Sequence, residues 1–153
     1  MKIREIKKED RQKWIKLVQL TDNRNKEWAE QKLDSYLDSK KKKRLLIVEE
    51  NGKLIGFVGI KGEDVEENVS EILNKEYVLI TWIALIPKYR KKGLGSQILK
   101  ECEKYARKWE KKGIWLGCKE KVIHFYEKNG YHKEGTFIND DGREEYLMLR
   151  EIG

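Results

Sequence analysis

Apolar positions along the chain recur with two different periods, and the switches between them outline the elements. Ile3 to Ile6 reads as a short strand. From Asp10 to Leu20, Trp14, Leu17 and Val18 fall three and four apart, which is one face of a helix. Trp28, Leu33, Tyr36 and Leu37 repeat that spacing in a second helix, expected to end in the run Lys40-Lys41-Lys42-Lys43-Arg44. Cations suit the negative end of a helix dipole, so the run reads as a solvated helix end rather than a binding patch. Leu45–Glu49 and Leu54–Ile60 flank Asn51-Gly52, a dipeptide that favours the type I′ turn of a tight hairpin. Residues 62–76 are acidic, and Val65, Val69, Ile72 and Leu73 fit a short helix and a mobile loop equally well.

The next run, Tyr77 to Ile86, is almost wholly apolar, as expected of a strand covered on both faces. Ile98, Leu99, Cys102, Tyr105, Ala106 and Trp109 then mark an amphipathic helix that begins near Ser96, with Gly113 as its stop. Ile114 to Cys118 reads as a strand, and Val122 to Asn129 as a helix closed by Gly130. Tyr131–Ile138 and Glu145–Arg150 look like a hairpin around Asn139-Asp140-Asp141-Gly142. The order is mixed α/β, with antiparallel hairpins and helical crossovers in one sheet. With a single proline, Pro87, no Ser/Gly linker and no internal repeat, 1–153 reads as one domain.

Composition narrows the class. Charged residues make up 40% and apolar ones 39%, with five Trp and seven Tyr, which is globular rather than disordered. Net charge is +7, from 34 Lys+Arg against 27 Asp+Glu. The signs are interspersed, so much of this is solvated surface, yet the balance favours an anionic ligand. Cys102 and Cys118 lack a Cys-x-x-Cys spacing and have no histidine cluster near them, so they read as reduced structural thiols, with no metal site. Met1 to Asp10 has no apolar core of a secretory signal, and no run approaches the ~20 apolar residues of a membrane span. The expectation is a cytoplasmic protein with no membrane partner.

The stretch with the most chemistry is Arg90-Lys91-Lys92-Gly93-Leu94-Gly95, between the apolar strand and the amphipathic helix. The first N–H groups of a helix have no partner inside it and carry the positive end of its dipole, which suits a phosphate. Glycines let the backbone approach an anion closely, and the cations add attraction at range. It is not a Walker A loop, and Ile98 stands where the dinucleotide fingerprint has its third glycine. Taken alone, it could equally be a tight strand–helix turn.

A second segment, Ile123-His124-Phe125-Tyr126-Glu127-Lys128-Asn129-Gly130-Tyr131, completes a pattern. Together the two closely resemble the Gcn5-related N-acetyltransferase superfamily. Its Arg/Gln-x-x-Gly-x-Gly/Ala motif is matched by Arg90, Gly93 and Gly95, its preceding Pro-x-Tyr-Arg by Pro87, Tyr89 and Arg90, and its Phe-Tyr-Glu-Lys-x-Gly-Phe/Tyr by Phe125 through Tyr131. The resemblance covers the whole chain in element order and is specific in motif from about Ile80 to Tyr131. It implies the acyl-CoA N-acyltransferase fold, α/β of the α+β type: a mixed, mostly antiparallel sheet with splayed central strands, flanked by helices. It also implies acetyl-CoA as co-substrate. By position, backbone groups of Ile83, Ala84 and Leu85 would meet the pantetheine arm, and Arg90, Lys91, Lys92, Gly93, Leu94, Gly95 and Ser96 would surround the pyrophosphate. Tyr126 would be the general acid that protonates the departing thiolate.

The sequence departs from the family in three places. Lys119 replaces an asparagine that often contacts the cofactor, and Val122 replaces a common alanine, so a different turn is expected after the Ile114–Cys118 strand. Gly117 lies where some relatives carry glutamate, so no general base is evident. His124 sits two positions from Tyr126, about 200° around a helix axis, and should face away. Glu76, Glu71 and Asp64 border the expected acceptor side, where residues 62–76 could form a substrate lid.

The leading reading is an acetyl-CoA-dependent N-acetyltransferase acting on a primary amine, in a small molecule or a peptide, by direct attack in a ternary complex. A homodimer is compatible with it. An acyl-CoA-binding sensor without catalysis is the alternative that the missing base keeps open. A nucleic-acid-binding module is disfavoured, because the aromatic residues fall at core spacings rather than on an exposed platform.

Overall fold

The computed structural model describes all 153 residues. Seven strands form a mixed sheet in the order β1-β2-β3-β4-β5-β7-β6. They are β1 (Lys2–Glu5), β2 (Lys43–Glu50), β3 (Lys53–Lys61), β4 (Tyr77–Leu85), β5 (Gly113–Cys118), β6 (His132–Ile138) and β7 (Glu144–Glu151). The helices are α1 (Arg11–Asp22), α2 (Lys26–Tyr36), α3 (Glu71–Glu76), α4 (Leu94–Lys108) and α5 (Ile123–Lys128). Residues group into two compact units, Met1–Ile60 with Thr81–Ile98, and Lys61–Ile80 with Leu99–Gly153.

In the first unit, β1 pairs antiparallel with β2, and the β2–β3 turn places Asn51 (φ 50°) and Gly52 (φ 77°) in the left-handed region, as a type I′ turn requires. Trp14, Leu17, Val18, Ala29 and Leu33 of α1 and α2 are almost fully buried, which bears out the spacing of the first helix. Trp14 and Trp28 both stand edge-on to Trp82 of β4, which also packs on Phe57. The second helix is shorter than its apolar pattern suggests. Leu37 is extended and closes α2 through its N–H to Leu33 O at 2.8 Å. The basic run is therefore no helix end: residues 40–42 are an irregular bend, and Lys43 and Arg44 open β2, where Arg44 pairs with Glu5 at 3.0 Å.

In the second unit, β5 runs parallel to β4 on one edge and antiparallel to β7 on the other. The parallel ladder is short, Tyr77↔Gly113 to Leu79↔Trp115. β4 itself is buried from Tyr77 to Ile80, but Thr81 is exposed and Trp82 to Leu85 are half-buried, so it is not covered on both faces throughout. Val65, Tyr77, Leu79, Trp115, Leu147 and Leu149 form an apolar cluster, against which Val69, Leu73 and Phe137 pack. Residues 62–76 thus resolve into a loop and then α3, whose N-terminus is capped by the Ser70 hydroxyl accepting from Leu73 N–H at 3.2 Å.

Helix α4 starts two residues before Ser96 and does not stop at Gly113. Glu110 adopts φ 56°, its N–H reaches Arg107 O at 3.0 Å, and Lys111 N–H reaches Ala106 O at 2.8 Å. This is a Schellman closure with glutamate in the left-handed position. Gly113 serves the sheet instead: a Cβ there would strike the Arg150 carbonyl oxygen and lie 2.8 Å from the Tyr77 ring. The expected closure by Gly130 is present, with φ 89° and Tyr131 N–H bonded to Tyr126 O at 3.0 Å.

Candidate functional site

The glycine turn and the end of β4 lie in the first unit. Gly56 of β3 lets β4 come close, since a Cβ there would be 2.8 Å from Ala84 O and 2.6 Å from the Leu85 side chain. Ile86 N–H then bonds Ile55 O at 2.8 Å and ends the apolar run. Pro87–Tyr89 make a single 3-10 turn, a setting that suits proline's fixed φ. Arg90 folds back, and its Nε donates to Leu85 O at 3.0 Å, so the first residue of the turn is tied to the last of the strand. Lys91 (φ 61°) and Gly93 (φ 81°) both take left-handed backbone, which turns the chain into α4.

What emerges is a donor-rich surface. Arg90, Lys91, Lys92 and Gly93 are exposed, and Leu94, Gly95 and Ser96 are half-buried in the first turn of α4. The first intrahelical bond from this end is Gln97 N–H to Gly93 O at 3.3 Å, so the amides before it are left to other acceptors. A Cβ added to Gly93 would meet nothing within 4 Å, so the space over the turn is open. Exposed cations, free amides and open space are the donor set that a pyrophosphate needs. Ile83, Ala84 and Leu85 are half-buried at the end of β4.

Tyr126 belongs to the second unit. The chain leaves β5, makes a 3-10 turn at Glu120–Val122 and enters α5. Tyr126 is 6% exposed and stacks edge-on with Phe125 and Tyr131. Burial first, and then the nearby Cys118, Cys102 and Glu145, push its phenol above the usual tyrosine range, so it holds its proton firmly. His124 is exposed while Tyr126 is buried, as their spacing requires.

The α5 support comes from β7. Arg150 pairs with buried Glu103 of α4 at 2.8 Å and also donates to the Asn129 carbonyl at the end of α5. Neither residue stands out in the sequence. Of the carboxylates singled out there, Glu71 pairs with Lys75 at 2.8 Å and Glu76 with Lys112 at 3.2 Å. Glu145 does not stand out either, because strand alternation reveals the face of a side chain but not which strand lies beside it.

The family model for the acetyltransferase (GNAT) family matches residues 4–131. The chain belongs to this family. Two curated relatives of this GNAT chain are an uncharacterized N-acetyltransferase from the pepI 3′ region of Lactobacillus delbrueckii subsp. lactis and the uncharacterized N-acetyltransferase YhfO of Bacillus subtilis (strain 168). The first is 26% identical over 106 residues, 66% of this chain and 60% of the relative. The second is 29% identical over 98 residues, 62% of each. The matched part thus spans about three fifths of either relative's length. Among solved structures, an aminoglycoside 6′-N-acetyltransferase complexed with coenzyme A superposes with a TM-score of 0.72 at 16% identity, covering 99% of this chain and 97% of that one. This likeness shows the GNAT fold. No helix of the chain is long and apolar enough to cross a membrane.

Proposed function

We propose that this protein is an acetyl-CoA-dependent N-acetyltransferase, built as one domain over 1–153, that moves an acetyl group to a primary amine of a small molecule or peptide in the cytoplasm. The observation that carries the reading is the turn Arg90–Ser96. It presents three exposed cations and the free amides of α4 to open space, a donor set matched to a pyrophosphate rather than to a neutral ligand. Arg90, Lys91, Lys92, Gly93, Leu94, Gly95 and Ser96 hold the pyrophosphate, and the backbone of Ile83, Ala84 and Leu85 faces the pantetheine arm. The likeness to a coenzyme A complex and the family assignment support this.

Acetyl-CoA supplies the thioester. The chain's own residues hold it, exclude water and manage protons. Tyr126 keeps its phenolic proton in a buried setting and is the donor to the departing sulfur. The amine attacks directly in a ternary complex, since both cysteines are buried thiols that burial keeps protonated. The test is a thermal-shift titration with acetyl-CoA and with coenzyme A, followed by turnover of a primary-amine panel. Binding to the native state alone stabilises by about 2.7 kcal/mol at a hundredfold excess over Kd. No shift with either compound sinks the reading. A shift without turnover of any amine turns it into the sensor.

A further inference from the structure

Strand β5 carries no carboxylate, and Gly117 contributes no side chain near its end. The space is not vacant. A Cβ on Gly117 would lie 2.8 Å from Glu145 Oε1 and 2.5 Å from the Phe137 ring. The register explains this. Gly117 pairs with Leu147 and Phe137 with Glu145, so Glu145, Leu147 and Leu149 alternate onto the face of β7 that adjoins Trp115 and Gly117. Cys118, the next residue, alternates onto the opposite face of β5, where it neighbours Tyr126. Glu145 and Tyr126 therefore approach the end of β5 from its two sides. Glu145, one residue beyond the Cys118↔Tyr146 pair, lies past Leu79↔Trp115, where the parallel ladder ends.

Glu145 differs from the other carboxylates of the sheet. Glu49 and Glu103 are held by Arg4 and Arg150, whereas Glu145 is half-buried and forms no ion pair. Its neighbours are acidic too. Glu67, from the loop before α3, is raised by burial and then by Asp140 and Glu145, with Lys61 opposing. An ammonium group is favoured at such a position.

We propose that Glu145 is the general base of the acetyl transfer, a role that rests on the acetyltransferase reading above. The acceptor arrives as an ammonium ion and gives one proton to the Glu145 carboxylate. Its freed lone pair forms the C–N bond at the thioester carbonyl carbon, and the C–S bond breaks. Tyr126 gives its proton to the sulfur and recovers one from the new amide nitrogen. One proton thus leaves through Glu145 to solvent and the other ends on the coenzyme A thiol, so the two protons lost by the amine are both placed.

The experiment compares full-length wild type with Glu145→Gln and Glu145→Asp, using spermidine, an aminoglycoside and a peptide with a free N-terminus as amine probes. For Glu145→Gln, kcat at neutral pH should fall about 10²–10³-fold, within the range of general base catalysis. KM for acetyl-CoA and the melting shift it produces should not change. The deficit should shrink as pH rises and the probe amine deprotonates unaided, and Glu145→Asp should keep part of the rate. Equal rates for Glu145→Gln and wild type would overturn the assignment. So would a deficit that is constant across pH or that comes with lost acetyl-CoA stabilisation, since either marks a structural role. A wild type that is stabilised by acetyl-CoA but acetylates none of the probes would overturn the catalytic reading itself, and Glu145's role with it.

Discussion

Arg150 of β7 donates to the buried carboxylate of Glu103 at 2.8 Å, and the same guanidinium reaches the carbonyl of Asn129. One side chain thereby joins α4, β7 and the end of the helix that carries Tyr126. Breaking a buried pair costs more than breaking a surface one, but Arg150 is 33% exposed, so about 2 kcal/mol is the appropriate scale for Arg150→Ala. That lowers Tm by roughly 4–8 °C for a chain of this size. Glu103→Ala should cost somewhat less, because the bond to Asn129 survives. Thermal denaturation of the two variants checks both the size and the order.

Gly95→Asp should lose at least about 100-fold in acetyl-CoA affinity while remaining folded, because an added negative charge at the first turn of α4 opposes both the helix dipole and the ligand's phosphates. Calorimetric titration measures the affinity, and circular dichroism the fold. Normal binding would reduce the turn to a purely structural role.

Tyr126→Phe should slow kcat by about 10²–10⁴-fold and leave acetyl-CoA binding nearly unchanged, since the ring's contacts with Phe125 and Tyr131 remain and only the hydroxyl goes. Steady-state kinetics at saturating substrates decides this. Equal rates would remove Tyr126 from the mechanism.

The thiols lead to a prediction at alkaline pH. Burial pushes Cys102 from 9.0 up to about 12 and Cys118 up to about 11. The folded chain therefore keeps protons that the unfolded chain releases. This stability is present in full below pH 9 and is lost as pH rises from there toward about 11 for Cys118 and about 12 for Cys102. Tm measured from pH 8 to 11 should fall, and should fall less steeply in Cys102→Ala, Cys118→Ala. The same double variant should keep its activity, and mass spectrometry of wild type with acetyl-CoA alone should find no acetyl-cysteine. An acetyl-cysteine that passes its group to amine would replace direct attack with a ping-pong route.

Local signals are legible in the sequence, and signals set by distant packing are not. Asn51-Gly52 announces its turn because both residues tolerate positive φ. The Trp14, Leu17, Val18 stripe announces its helix because burial follows the helical period. Glu110 does not announce itself as the end of α4, since glutamate has no special ease in left-handed backbone. Gly113, the more obvious stop, is required by the facing strand β7, whose Arg150 carbonyl leaves no room for a Cβ there. The basic run after Tyr36 reads as a helix end from charge alone, but an extended Leu37 has already closed the helix. Glu145 escapes notice because β7, rather than β6, lies against β5, an order that no local pattern encodes.

Gly113 has a consequence for how the parallel strands find each other. It opens the β4–β5 ladder opposite Tyr77, at a spot where the Arg150 carbonyl and the Tyr77 ring leave no room for a side chain. A slip of one residue would bring Ile114 into that slot and turn every following side chain to the wrong face. Gly113 therefore works as an index mark. The point at which the two strands part, two residues further on, is counted from it. Insertions or deletions between Gly113 and Trp115 would move that point and the proposed site with it, even where Glu145 and Tyr126 were kept.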